Sequence, residues 1–311
     1  MRIAVIGACG KMGLNHVRNL QTLGCEVYGV DKNPELVDIA RKEGFHSANL
    51  EEIPNLGLDG VVVSIPPSEG FEICKKLLSM NMKVLCEKPV TADSKTLEKL
   101  IEIESESEGW IMVGFNMRYN NIFIKIRDII KSGELGEIIG INAKKCWRAG
   151  TEWRLKPGGG VILIKDIHYF DLIPWLTGLN YKSVLAIGGN KYHNSSVEDH
   201  YFLLANLDNN IPFNLISAWW TYERGDSYFE VLGTEKRVFV SKDSEIYIAG
   251  AMIEKIEVTE NNSIITELTN FFECITNGKK PVSNLENAKK ALRIAECVKT
   301  SLNTGRVISV S

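Results

Sequence analysis

The chain lacks the paired cysteines of a zinc site. None of its seven (Cys9, Cys25, Cys74, Cys86, Cys146, Cys274, Cys297) forms a C-x-x-C pair, and no histidine stands at ligand spacing. No metal site is expected, and scattered thiols of this kind suit a reducing compartment, the cytoplasm. A long apolar run is missing too. The opening stretch from Met1 to Gly7 is too short for a signal peptide, and nothing later approaches the roughly eighteen apolar residues of a membrane-spanning helix. Neither charge is in large excess: 36 Lys plus Arg against 39 Asp plus Glu leave a formal -3, which gives no electrostatic reason to expect nucleic acid or membrane as a partner. Internal repeats and low-complexity segments are absent. Small-molecule chemistry remains, and 311 residues suit two domains better than one core.

Of what is present, glycine punctuation comes first. Arg2 to Ile6 is a short β-branched run, Gly7-Ala8-Cys9-Gly10-Lys11-Met12-Gly13 is a glycine turn, and Leu14, Val17, Leu20 and Leu23 recur at helical spacing. This predicts strand, turn and helix, a unit whose free N–H groups and helix dipole attract a pyrophosphate. The spacing G-x-x-G-x-x-G is one residue longer than the usual dinucleotide fingerprint. Gly7, Cys9, Gly10, Lys11 and Met12 are the candidate cofactor contacts here. Cys9 has two readings: a thiol with lowered pKa at a helix N-terminus, or a small residue packed in a tight turn. Glu26 to Val30 reads as the second strand. Asp31 at its end is placed to accept hydrogen bonds from adenosine ribose hydroxyls, which favours NAD; Lys32 leaves NADP open, and a helix N-cap for the segment opening at Pro34 is the other reading.

Gly60 to Ile65 reads as a buried parallel strand that ends in Ser64-Ile65-Pro66-Pro67 before a helix from Glu69 to Met80. Met82 to Cys86 is the next strand, so Glu87-Lys88-Pro89 falls at the same carboxyl edge, where ligands of such sheets bind. That places Lys88 where a bound nicotinamide ring would end. A helix from Ser94 to Glu108 and a strand from Trp110 to Gly114 complete an alternating β/α series. After Phe115-Asn116-Met117-Arg118-Tyr119 the pattern changes to an amphipathic helix through Lys131 and a strand from Ile138 to Cys146. Further strands are expected at Val184–Gly188, Asp199–Leu207, Pro212–Trp220, Tyr228–Leu232, Arg237–Ser241 and Ile253–Thr259, then closing helices at Ile264–Thr276 and Asn284–Leu302. The expected fold class is α/β. An N-terminal Rossmann domain with a doubly wound parallel sheet takes residues 1–118, and a C-terminal α/β domain with a large, mostly antiparallel open sheet takes 119–311.

The segment from Trp147 to Asp171 is rich in polar chemistry. A helix starting near Gly160 would put Lys165, His168 and Asp171 at i, i+3 spacing on one face, with Asp171 orienting the imidazole toward a ligand. A histidine on a partly apolar helix is more often a satisfied core residue; the triple glycine at 158–160 favours the functional reading. Arg148, Trp153 and Arg154 suit a polyhydroxylated ring or a phosphate, against a solvated loop as the alternative.

Taken in order, the glycine turn with His16 after it, Ser64-Ile65-Pro66-Pro67, Glu87-Lys88-Pro89, Phe115 to Tyr119, Trp153-Arg154 and Gly158 through His168 and Asp171 resemble the glucose-fructose oxidoreductase, inositol dehydrogenase and rhizopine-catabolism (Gfo/Idh/MocA) family over essentially the whole chain. The resemblance implies NAD(P) on the Rossmann domain, a sugar or cyclitol substrate between the domains, and a homodimer or homotetramer built on the open sheet. It implies that Ser64, Ile65, Pro66, Glu87, Lys88 and Asn116 surround the cofactor and that Lys88 and His168 contact the reacting hydroxyl as the catalytic pair. A lysine with a reference pKa of about 10.4 needs desolvation or a neighbouring positive charge to act as a base. Candidate substrate contacts are Lys88, Arg148, Trp153, Arg154, Lys165, Asp166 and His168. One departure stands out: an aspartate that many relatives carry four residues before the histidine is Ile164 here, and Asp166 or Lys165 are the candidates to replace it. The implied reaction is hydride transfer between a secondary hydroxyl, or the ketone, of a sugar, cyclitol or nucleotide sugar and nicotinamide. A non-catalytic sensor or co-regulator of the same fold stays open, as does an enzyme like the dihydrodipicolinate reductases, whose glycine turn is similar to Gly7 to Gly13.

Overall fold

The computed structural model describes residues 1–148, 152–156, 158–219, 225–240 and 245–310, with backbone only at 152 and 153. Its first sheet grows from β-branched runs buried on both faces: β1 (Arg2–Ile6), β2 (Glu26–Val30), β3 (His46–Ser47), β4 (Gly60–Val63), β5 (Lys83–Glu87) and β6 (Trp110–Gly114) pair in parallel in the order β3-β2-β1-β4-β5-β6. Because β1 pairs with β2 on one side and β4 on the other, the strand order reverses at β1, and a crevice opens beyond its carboxyl end. Helices α1 (Lys11–Thr22), α2 (Leu36–Glu43), α3 (Pro67–Ser79) and α4 (Ser94–Ser105) make the crossovers. Helix α3 begins at Pro67, two residues earlier than expected, because proline at the first helical position presets φ and needs no N–H there. Strand β3 was not expected; two residues carry no alternation to read.

The second sheet follows α5 (Asn121–Lys131) and contains β7 (Ile138–Cys146), and then, after α6 (Ile167–Thr177), β8 (Tyr181–Gly189), β9 (His200–Leu207), β10 (Pro212–Ala218), β11 (Asp226–Gly233), β12 (Arg237–Val240), β13 (Ile246–Ala249) and β14 (Ile253–Ile256). Two helices follow, α7 (Ser263–Asn277) and α8 (Leu285–Thr304), before β15 (Ile308–Ser309) closes one edge. The nine strands run β14-β13-β12-β11-β7-β10-β9-β8-β15, and only β7 and β10 are parallel neighbours. One face is covered by α5 and α6, with Phe123 edge-on to Phe229 at 5.5 Å and Phe170 edge-on to Tyr181 at 6.1 Å. On the other face Ile187, Phe202 and Leu204 stay 69%, 51% and 55% exposed. The expected strand ends at Trp220 and Ser241 lie outside the described residues. Among the described residues no helix is long and apolar enough to cross a membrane.

The compact units do not divide the chain at 118/119 as a simple front and back. The first holds Met1–Tyr119 together with Asn262–Lys289; the second holds Asn120–Asn261 with Lys290–Ser311. The reason is α7. Its Ile264, Leu268, Phe271 and Cys274 join Val5, Leu20, Val62, Leu85 and Met112 in one hydrophobic core, and Phe271 meets the Trp110 ring edge-on at 5.6 Å. Burying two side chains the size of Leu268 and Phe271 contributes roughly 1.5–3 kcal/mol each. The helix starts where Asn262 accepts hydrogen bonds from the Ile264 and Ile265 N–H groups, while its own amide donates to Asn19 Oδ1 of α1 at 3.0 Å. It stops at Gly278, in the left-handed region with φ 64°. Asn262→Ala removes both the cap and the tie to α1, and should lower the free energy of unfolding in urea by about 1–2 kcal/mol; an unchanged midpoint and slope would show that α7 is held without it.

Candidate active site

The glycine turn is shaped by how closely it must approach its neighbours. Gly7 takes φ 84°, and a Cβ there would lie 2.2 Å from the Ser64 carbonyl oxygen; a Cβ on Gly13 would lie 1.9 Å from the Gly7 carbonyl oxygen. Both positions therefore need glycine, which lets α1 start directly against β1 and β4. Asp31 fastens the turn: its carboxylate accepts from Cys9 N–H at 2.8 Å and from Asn33 N–H at 3.0 Å. This settles the other reading of Asp31, because α2 is preceded by Glu35 at its N-cap and not by Asp31. Cys9 is not activated. Burial, with Asp31 adding to it, pushes its thiol up to about 11, so the packing role holds and a lowered pKa does not.

Gly7, Cys9, Gly10, Asp31, Ser64, Ile65 and Pro66 line one cavity of about 670 Å³. Sequence reasoning missed Asn33, Asn49, Leu50, Glu51, Glu69 and Ile73, which line it as well. Glu69 carried a readable signal, since it lies in the first turn of the helix that the Pro-Pro pair starts; the 49–51 loop follows the two-residue β3 and carried none. Lys32 is tied to Glu69 at 2.5 Å. Lys11 and Met12 sit in the first turn of α1, Lys11 exposed and Met12 packed on the core. Glu87 and Lys88 stand at the end of β5, with a cis Lys88–Pro89 bond, and Asn116 opens a 3-10 turn after β6. Behind them, fully buried His16 meets Glu87 Oε1 through Nε2 at 2.9 Å. Glu267 of α7, also fully buried, is held far above the usual carboxylate range by burial, with Glu87 reinforcing and Lys88 opposing the effect.

In the second unit the helix after the triple glycine is not regular. Residues Ile162–Asp166 form a π-helical turn before α6 begins at Ile167. The expectation that Lys165 shares one α-helical face with His168 and Asp171 is thereby corrected, because the wide turn breaks the i, i+3 register before Ile167; His168 and Asp171 keep that spacing within α6. Lys165 is 4% exposed, and its ammonium donates to the carbonyls of Lys145 at 2.5 Å and Ala218 at 3.0 Å. Asp166 is fully buried and accepts from the Ser217 hydroxyl. Burial pulls Lys165 down and pushes Asp166 up, each opposed by the other's charge. Both side chains are bonded to sheet strands, although Asp166 Oδ1 meets no hydrogen-bond partner. His168 is half-buried in the first turn of α6. Arg148 is exposed after β7, and Arg154 is half-buried, with burial drawing its guanidinium below the usual value. Trp153 belongs to a 3-10 turn, Glu152–Leu155, and its side chain lies outside the described residues. Lys145, which sequence reasoning passed over, lies 4.6 Å over the Trp147 ring and 5.2 Å from that of Tyr169.

Residues 1–115 match an oxidoreductase family with an NAD-binding Rossmann fold, and residues 123–239 match the GFO/IDH/MocA C-terminal domain. A myo-inositol 2-dehydrogenase of Thermotoga maritima is 23% identical over 341 aligned residues, covering 100% of this chain and 98% of that protein. An inositol 2-dehydrogenase of Pseudarthrobacter chlorophenolicus is 32% identical over 216 residues, 64% of this chain and 61% of its own length. The fold also superposes on an oxidoreductase of Agrobacterium radiobacter, solved with NAD+, L-tartaric acid and magnesium, at a TM-score of 0.90 and 14% identity, covering 100% of this chain and 98% of that one.

Proposed function

Because the chain belongs to the GFO/IDH/MocA oxidoreductase family and its first unit carries that family's NAD-binding domain, we propose that it is an NAD-dependent dehydrogenase of a cyclitol or sugar, acting at a secondary hydroxyl or the corresponding ketone. One observation carries the reading: Lys88 stands at the carboxyl edge of the same parallel sheet whose glycine turn, pinned by Asp31, lines the cavity at the strand-order reversal. The residues present fit a dinucleotide. The helix α1 N-terminus offers N–H groups and a positive dipole end to a pyrophosphate, and Asp31 retains acceptor capacity for ribose hydroxyls. Nicotinamide supplies the hydride chemistry when bound; the proton is left to the protein. Lys88 is the group proposed to take it from the substrate hydroxyl, and His168 of the second unit is proposed to share that proton. Arg148, Trp153 and Arg154 remain proposed substrate contacts.

Asp31 favours NAD over NADP, and the Lys32–Glu69 pair supports the same choice by neutralising the cation closest to Asp31 in sequence. The uncovered Ile187, Phe202 and Leu204 support a homo-oligomer joined through the outer face of the nine-stranded sheet. Seven free thiols support a reducing compartment such as the cytoplasm.

Turnover assays with inositols, aldoses and UDP-sugars, reading the reduced nicotinamide band, test the reading as a whole. Lys88→Ala should lower turnover about a hundredfold or more while NADH binding by fluorescence persists; retained turnover would remove Lys88 from the chemistry. Asp31→Ala should move the cofactor preference toward NADP, and a preference that does not move would exclude the ribose contact. Phe202→Lys with Leu204→Lys should reduce the mass seen in sedimentation to that of a single chain; an unchanged mass would exclude this face as the subunit contact.

A further inference from the structure

The cavity of the first unit is bordered by an unequal set of charges. Among its described lining residues Asp31, Glu51 and Glu69 are acids, and Lys32 is the one cation. Lys32 lies on the loop between β2 and α2 with its side chain 86% exposed, so its ammonium can swing wherever the four-carbon stem reaches. Glu69 takes it, at 2.5 Å. The carboxylate stands on a rigid base. In the first turn of α3 the Glu69 N–H donates to the Pro66 carbonyl at 3.0 Å, and Pro67 presets the start of the helix. The next residue, Gly70, approaches the loop after β5 so closely that a Cβ there would lie 2.0 Å from the Val90 carbonyl oxygen. The same helix meets the loop after β3 through a second ion pair, Lys76 with Glu51 at 3.5 Å.

Ion pairs this exposed add little to stability. The consequence of the Lys32–Glu69 pair lies in its place. Lys32 directly follows Asp31, the residue set for the adenosine ribose, and a cation beside that position is what accommodates the extra phosphate of NADP in such sheets. Held by Glu69, Lys32 has its charge already answered. A 2′-phosphate would then arrive beside three carboxylates with no uncompensated cation among the described lining residues. We propose that Glu69 is a positioning residue for cofactor choice, which keeps Lys32, a latent phosphate ligand, drawn onto α3 and so disfavours NADP. The inference rests on the reading of this cavity as the dinucleotide site, and adds to Asp31 a second determinant that acts through another side chain. Removing Glu69 leaves one acid fewer and one cation more; only the second effect requires Lys32, and that separates positioning from simple repulsion.

Fluorescence titrations of the full-length protein with NADH and with NADPH read both effects without turnover. Glu69→Gln should tighten NADPH binding about threefold to fivefold, the scale of one exposed ion pair, and leave NADH binding nearly unchanged. In a Lys32→Gln background the same substitution should lose most of that gain, and high salt should erase it. Running the cycle again in Asp31→Ala, where NADPH is expected to bind more tightly, keeps the result readable if the unmodified chain binds NADPH too weakly to titrate. A ratio of NADPH to NADH affinity that Glu69→Gln leaves unmoved in both backgrounds overturns the proposal. A gain undiminished by Lys32→Gln overturns it too, since the acid would then act by its own charge alone. Failure of the unmodified protein to bind NADH would instead overturn the dinucleotide reading on which the inference stands.

Discussion

The approach of α1 to the glycine turn governs the first unit. With no side chain at Gly7 or Gly13, the helix starts against the backbone of β1 and of the loop after β4, at separations that any Cβ would prevent. One helical turn beyond Gly13, that placement brings His16 inside the sheet edge, where its ring reaches Glu87. The hydrogen bond orients Glu87, and Glu87 is bonded in sequence to Lys88. Asp31 holds the other side of the same turn through Cys9 N–H. Cofactor cradle and lysine thus depend on one backbone contact, which explains why the glycines, the histidine and the Glu-Lys pair occur together though they lie far apart in sequence.

The second unit handles buried charge differently. Lys165 and Asp166 both leave solvent, which is tolerable only because two carbonyls receive the ammonium and Ser217 donates to the carboxylate. The π-helical turn carries them there. An α-helical path would have kept Lys165 one turn below His168, whereas the wider turn sends it against the ends of β7 and β10. Ile164 is buried in the same turn.

Much of this was legible in residues. The β-branched runs and the glycine turn announced β1, α1 and their neighbours because local periodicity and punctuation decide those elements. Asp31 was legible by its distance from the turn, and Lys88 by the strand it ends. The π-helical turn was not, since helical spacing was assumed regular and nothing local marks an extra residue. Strand β3, with two residues, is too short to show alternation. The membership of α7 in the first unit rests on contacts between residues some two hundred positions apart, such as Asn19 with Asn262, and no periodicity encodes them. Glu267 did carry a signal: a charged residue one turn from Ile264 and Phe271 on an apolar face predicts either a kink in the pattern or a purpose.

The discontinuity of the first unit also bears on its birth. During synthesis the ribosome releases Met1–Tyr119, with the parallel sheet, long before Asn262–Lys289 emerges. Until then the side of that sheet meant for Phe271 and Leu268 has no cover, and Trp110 and Gly60 face water or a chaperone. The nascent chain must hold an unfinished domain open while residues 120–261 are made, so the nucleotide-binding half matures only after most strands of the second unit have been synthesised.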